Sequence, residues 1–291
     1  MENFDVVIVG GGPAGISAAL YAKRSNLNVL VLYYGGSNLE KAHKIDNYYG
    51  FPEGITGQDL FNNGIKQAQN LGVEVRHEEV LDISRVTMTD YKVKTNDNEY
   101  QSKVIILATG SKKITPNIIG IEEFEGRGVS YCAICDGFFY RNKDVVVIGN
   151  GDYAISEADE LKGIASSVRI LTDGLDKPEN SKEYEVITKK IVEIAGEDKV
   201  SKIIFDDNSS IDVAGVFVAL GRAGGADFAK KLGVLTEGDS IIVNENMKTS
   251  VDGIYSCGDA VGGLLQVSKS VSDGAKAGID AATYIRSLKS E

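Results

Sequence analysis

FDVVIVGGGPAGISAALYAKRSNLNVLVLYY, residues 4–34, spells a complete strand–turn–helix–strand unit. Residues 4–9 form an apolar run rich in β-branched side chains, and ISAALYAKRSN has helical patterning. NVLVLYY closes the unit as a second strand. The turn between them, Gly10-Gly11-Gly12-Pro13-Ala14-Gly15, is a G-x-G-x-x-G. In that context it predicts a dinucleotide site. Gly10 makes the sharp turn, Gly12 lets the backbone approach a pyrophosphate, and Gly15 permits close helix–strand packing. The helix N-terminus offers free N–H groups and the positive end of its dipole to the phosphates.

One departure is plain. The acidic residue expected at the end of the second strand, on a ribose hydroxyl, is replaced by Tyr33 and Tyr34. Two explanations stay open: the tyrosines cap a strand end, or a tyrosine packs on the adenosine while backbone groups take the ribose contact.

The pattern recurs at 145–171. An apolar strand VVVIG runs into Gly149-Asn150-Gly151-Asp152-Tyr153-Ala154, a helical stretch and the strand SVRIL. Two such units in one chain usually mean one flavin and one pyridine-nucleotide domain. Here Asp152 sits where a pyrophosphate would lie and repels it, and Tyr153 adds bulk. After the second strand the sequence is Thr172-Asp173-Gly174-Leu175-Asp176, with no cation before Lys177. An NADP 2′-phosphate would forfeit its charge-assisted bonds there. Asp173 leaves a ribose diol contact open, but Asp152 opposes any dinucleotide. The expectation is a retained fold with a vacated site.

Between the two units, Cys132 and Cys135 form a C-x-x-C followed by Asp136. Zinc is disfavoured, because Cys257 and the distant His43 and His77 supply no second ligand pair. A dithiol/disulfide pair is the better expectation, with Asp136 placed to protonate a leaving thiolate if it is partly buried. Phe138-Phe139-Tyr140 would provide that burial or belong to the core. Cys257 is expected to be a buried, inert thiol in a late strand.

Composition bounds the rest. In 291 residues the net charge is −11, and there is no Lys/Arg run, which argues against nucleic acid or an anionic membrane as partner. No apolar stretch approaches the ~18 residues of a membrane span, and the N-terminus lacks the pattern of a secretory signal, so a cytoplasmic location is expected. Glycine is in excess, 33 residues or about 11% against a usual ~7%, the mark of many tight turns and close backbone approaches.

CAICDGFFYRN at 132–142 resembles the active site of the low-molecular-weight thioredoxin reductases. IDNYYGFPEGITGQDL at 45–60, ILATGS at 106–111, GIYSCGDA at 253–260 and LLQVSKSVSDGAKAG after it extend the resemblance along most of the chain. It implies one FAD per chain, thioredoxin as acceptor and a homodimer. It implies Cys132 and Cys135 as the redox pair, with Cys135 nearer the flavin, and Asp136 as proton donor. The implied FAD contacts are Gly10, Gly12, Pro13, Ala14, Gly15, Tyr33, Gly36, Asn47, Val80, Ala108, Thr109, Gly110, Gly258, Asp259, Gln266 and Val267. The missing arginines and Asp152 resemble the branch of the family that takes electrons from reduced ferredoxin and needs no NADPH. Arg127, Arg141 and Lys143 are the cations nearest the cysteines, expected to activate a thiolate and to offer a docking rim for an acidic ferredoxin. The implied fold is α/β with two Rossmann-like three-layer domains: a discontinuous FAD domain, 1–111 and 222–291, and an inserted central domain, 112–221. Gly110-Ser111-Lys112 and Gly221–Gly225 are the crossings between them.

Overall fold

The computed structural model describes all residues except 36, 38, 40, 41, 111–115, 132, 179, 221–223, 239, 290 and 291, and of 134 and 135 the backbone alone. The chain divides into two compact units, Met1–Lys112 with Gly224–Glu291, and Lys113–Ala223.

The first segment runs β1 (Glu2–Val9), α1 (Pro13–Arg24), β2 (Val29–Tyr33), α2 (Gly57–Asn70), β3 (Glu74–His77), β4 (Val80–Arg85), β5 (Tyr91–Thr95) and β6 (Glu99–Leu107). The second unit contributes β7 (Val129–Ser130), α3 (Ala133–Asp136), β8 (Asp144–Ile148), α4 (Asp152–Leu161), β9 (Ser167–Leu171), β10 (Glu185–Ile187), β11 (Ile191–Gly196), β12 (Val200–Phe205), β13 (Ser210–Asp212) and β14 (Gly215–Val218). The chain then returns to the first unit with α5 (Gly225–Lys231), β15 (Thr236–Glu237), β16 (Ser240–Ile241), β17 (Ile254–Ser256) and α6 (Val267–Leu288).

In the first unit the strands lie in the order β3-β2-β1-β6, all parallel. The long β6 serves two neighbours on its far edge. Its N-terminal half pairs antiparallel with β5, which leads on to β4, and its C-terminal half pairs parallel with β17. Val6, Val7 and Ile8 of β1 are fully buried, as expected of a parallel strand covered on both faces. α1 and α6 pack on one face, with Val6, Ile8, Val104 and Ile106 meeting Ala18, Ala22, Ala277, Ala281 and Ile285. The two helices approach closely through small residues: a methyl on Gly274 or Gly278 would lie 2.1 Å from the carbonyl oxygen of Ala14 or 2.4 Å from that of Ala18.

The second unit repeats the plan with a fully parallel sheet, β10-β9-β8-β14-β7. One face is covered by the antiparallel sheet β11-β12-β13, whose Ile191, Ile194, Ile203 and Phe205 pack on Val146, Ile148, Val216 and Val218. α4 packs on β8 and β9 and also touches α3. Cys257 follows β17 rather than lying within it as expected, though its N–H still donates to Leu107 O at 3.1 Å. Among the described residues no helix is long and apolar enough to cross a membrane.

Candidate active site

The first glycine turn is built as its spacing predicts. Gly10 has φ +120°, and a Cβ there would sit 2.2 Å from Ala108 O; a Cβ on Gly15 would sit 1.9 Å from Gly10 O. Gly12 is different: among the described residues a Cβ there would meet only Ser37 Oγ, at 3.5 Å. Its lack of a side chain answers to no close contact with the described residues and leaves the backbone open for a ligand on that side. Gly12 caps α1 without a side-chain hydrogen bond, Pro13 opens the helix, and the first turn has no acid. The leading N–H groups therefore face outward with their dipole uncompensated.

The candidate cofactor residues converge from five places in the chain. Gly10 abuts Ala108 and Thr109, and Gly11 abuts Tyr33. A methyl on Gly258 would touch Ala14 Cβ at 2.7 Å. Asn47 Nδ2 donates to Gln266 Oε1 at 3.2 Å, joining residues 219 apart in sequence. Gln266 caps α6, Val267 begins it, and Ser270 Oγ lies 3.4 Å from Asp259 Oδ1. Gly110, with φ +76°, follows Thr109, whose buried Oγ1 has no hydrogen-bond partner among the described residues. Val80 stands apart, buried at the start of β4 opposite Thr95. Gly36 lies outside the described residues. An open Gly12 cradle, an acid-free helix start and an orphaned hydroxyl fit a bound pyrophosphate-containing cofactor.

Two residues missed by sequence reading belong here. His77 accepts the Gly35 N–H on Nε2 at 3.2 Å and packs edge-on to Tyr33 and tilted against Tyr34, with ring centroids 5.1 and 5.0 Å away. Lys269 donates to Gly258 O at 2.8 Å and Gly262 O at 2.7 Å and pairs with buried Asp273 at 2.9 Å. The two hydrogen bonds and the ion pair pin the Gly258–Val261 turn onto α6.

In the second unit Gly149 closes its turn as Gly10 does: a Cβ would lie 2.2 Å from Ala219 O. From there the two turns diverge. α4 starts with Asp152, whose Oδ1 accepts from Asn180 Nδ2 at 3.3 Å, so the loop after β9 is tied across the helix start. Tyr184 OH donates to Asp159 at 2.5 Å, and Lys162 pairs with Glu183 in the same loop. Tyr153 is buried. Asp173 Oδ1 accepts the Ile191 N–H at 2.8 Å and so serves a local turn.

Of the redox residues, Cys132 lies outside the described residues and only the backbone of Cys135 is described, within α3. Asp136 ends that helix, partly buried, and accepts from Ser130 Oγ at 2.6 Å. The expected cover for it is corrected: Phe138 and Phe139 are 67% and 69% exposed. The 3-10 turn at Gly137–Tyr140 directs them outward, and only Tyr140 folds back, edge-on to Phe217. Burial, and secondarily Asp136, pushes the Tyr140 phenol above its ordinary range. The three cations are each engaged by a neighbouring ring or carbonyl. Arg141 lies over the Phe138 ring, Lys143 donates to Phe139 O, and Arg127 donates to Glu123 O over Phe124. Cys257 is fully buried, and burial, followed by Asp273, pushes its thiol far up.

The sequence matches the pyridine nucleotide-disulphide oxidoreductase family model over residues 4–274. It is 36% identical to a thioredoxin reductase of Aquifex aeolicus over 277 residues, covering 89% of this chain and 85% of the relative. The chain belongs to the thioredoxin reductase family. Other members include a thioredoxin reductase of Bacillus subtilis, 33% identical with 98% and 96% of the two chains covered. Two solved structures are similar throughout. The atypical thioredoxin reductase TRi from Desulfovibrio vulgaris Hildenborough has a TM-score of 0.92 at 36% identity, covering 97% of this chain and 98% of that one. A ferredoxin-flavin thioredoxin reductase from Clostridium acetobutylicum has a TM-score of 0.74 at 32% identity, with both chains fully covered. Membership makes this protein a thioredoxin reductase-like flavin disulfide oxidoreductase and implies FAD as its cofactor.

Proposed function

We propose that the protein is a ferredoxin-dependent flavin thioredoxin reductase. The observation that carries the donor assignment is the second glycine turn: Asp152 stands at its helix start, bonded to Asn180, and between the end of β9 and Lys177 there is no cation. A dinucleotide arriving there would meet a carboxylate where it needs N–H groups, and a 2′-phosphate would find no guanidinium. Likeness to the clostridial ferredoxin-flavin enzyme supports the same donor.

In this reading residues 1–111 and 222–291 hold one FAD and 112–221 form a central domain that binds no NADPH; the protein acts as a cytoplasmic homodimer. Gly12 and the start of α1 hold the pyrophosphate, Thr109 offers its hydroxyl, Asp259 takes the ribityl chain, and the bonded Asn47 and Gln266 meet the ring. FAD, when bound, takes up electrons singly and releases them in pairs. Cys132 and Cys135 form the disulfide that is reduced, and Cys132 attacks the thioredoxin disulfide. Asp136, oriented by Ser130, holds the proton for the departing thiolate. Exposed Arg127, Arg141 and Lys143 form the cationic rim for an acidic ferredoxin.

The deciding experiment is thioredoxin reduction with NADPH, NADH and reduced ferredoxin in parallel, under anaerobic conditions. Turnover with ferredoxin alone is expected. Bleaching of the flavin band by stoichiometric NADPH or NADH would overturn the donor assignment while leaving the disulfide reductase intact.

A further inference from the structure

Glu157 is the one carboxylate on the inner face of α4, a helix that, on the function proposed above, binds no nucleotide. It is 1% exposed, between Tyr153, Ala154 and Leu161, which are also buried. A glutamate is seldom buried without a specific partner, since desolvation of its charge is costly. Its Oε2 accepts the backbone N–H of Ala133 at 2.8 Å, and Ala133 is itself 1% exposed. That nitrogen is bonded covalently to the carbonyl carbon of Cys132. The same helix supports the motif further along: a Cβ on Gly137 would meet Leu161 Cδ2 at 3.1 Å. Among the described residues, the charged and titratable groups near the motif are of both signs. Asp136 lies on α3 itself and Tyr140 on the following turn, whereas Arg127, Arg141 and Lys143 are engaged on the outer surface.

We infer that Glu157 is a positioning residue for the redox pair: it fixes the backbone directly after Cys132 and holds a buried negative charge beside it. This rests on Cys132 and Cys135 being that pair. Only a thiolate attacks or is alkylated, and a neighbouring negative charge disfavours the thiolate. Glu157 therefore lowers the fraction of Cys132 present as thiolate, which slows adventitious alkylation and oxidation of the reduced pair while leaving a thiolate population to attack thioredoxin. It also gives the central unit a reason to keep α4.

The test uses FAD-loaded enzyme carrying Cys135→Ser, so that Cys132 is the reactive thiol and Cys257 stays buried. The rate of iodoacetamide alkylation is followed against pH with and without Glu157→Gln, which keeps an acceptor and removes the charge. The expected result is a profile whose midpoint falls by about one pH unit, roughly a tenfold gain in thiolate on its acid side, with flavin content unchanged. A merely structural role would leave the midpoint where it was, and an unmoved midpoint overturns the proposal. Amide hydrogen exchange at Ala133 in the wild type needs no variant. Protection of about a hundredfold or more is expected for an N–H held by a buried carboxylate, and exchange near the unprotected rate overturns the anchor. If reductant leaves the wild-type thiol count unchanged, the redox-pair assignment itself is refuted, a failure visible before any Glu157 variant is made.

Discussion

Gly12→Ala separates what the first glycine turn needs for folding from what it needs for its ligand. Gly12 has φ −75° and ψ −175°, an extended conformation open to alanine even before Pro13. Among the described residues the added methyl would meet only Ser37 Oγ at 3.5 Å, an ordinary contact. Alanine is a poorer N-cap than glycine by about 0.5–1 kcal/mol, and its smaller unfolded-state entropy returns about 0.4–1 kcal/mol. The apoprotein should therefore keep its stability to within about 0.5 kcal/mol. FAD binding should not survive so well. A methyl forced between backbone and pyrophosphate costs about 1–3 kcal/mol, or roughly 5- to 150-fold in affinity. Gly15→Ala supplies the contrast. Its Cβ would lie 1.9 Å from Gly10 O, a collision the main chain cannot avoid, so about 3 kcal/mol or more of apoprotein stability should go with it. Urea unfolding of the two apoproteins measures the first quantity, and titration of each with FAD, followed by quenching of flavin fluorescence, measures the second. If Gly12→Ala binds FAD within twofold of wild type, Gly12 is not the point of backbone approach and the placement of the pyrophosphate is wrong.

Alkaline pH should expose the Tyr100 network. Tyr100 is fully buried, and burial, reinforced by its hydrogen bond to Glu78, pushes the phenol up to about 12 against the opposing effect of Arg76. A folded value above the unfolded one means the stabilisation is complete below about pH 10 and is lost as pH rises to 12, about 3 kcal/mol in all. Urea unfolding of wild type and Tyr100→Phe across that window should show the variant's dependence shallower by that amount, and parallel curves would refute it. Lys269→Met should cost about 3 kcal/mol by leaving Asp273 buried without its cation, and should speed FAD loss on gel filtration; adding Asp273→Asn should recover part of both. Thiol titration of the reduced native protein should count two reactive cysteines, with Cys257 appearing only on denaturation; three in the native state would contradict its burial.

The first unit was legible because its signals are local. A strand, a glycine turn and a helix within thirty residues dictate one another through sterics and hydrogen bonding, and Gly10 and Gly15 take up the contacts their spacing implies. The convergence of Asn47 with Gln266 was legible only through family resemblance, since no local pattern links residues on opposite sides of an inserted unit. His77 was passed over because a lone histidine carries no signal until topology lays β3 beside β2. Lys269 did leave one: a cation in the first turn of a helix opposes the dipole, which implies that something holds it there. Phe138 and Phe139 were misjudged because apolar side chains were taken as cover, although hydrophobicity alone does not prevent exposure.

The matched closures at Gly10 on Ala108 and Gly149 on Ala219 have a bearing on how such chains diverge. In both units the first glycine answers to the carbonyl of a neighbouring strand, so losing the ligand does not release it from constraint. The residue opening the helix carries no such closure onto a strand: it is Pro13 in one unit and Asp152, bonded to Asn180, in the other. On the function proposed, a glycine pattern can thus outlive the activity it advertises, and the drift that records the loss accumulates three residues further along.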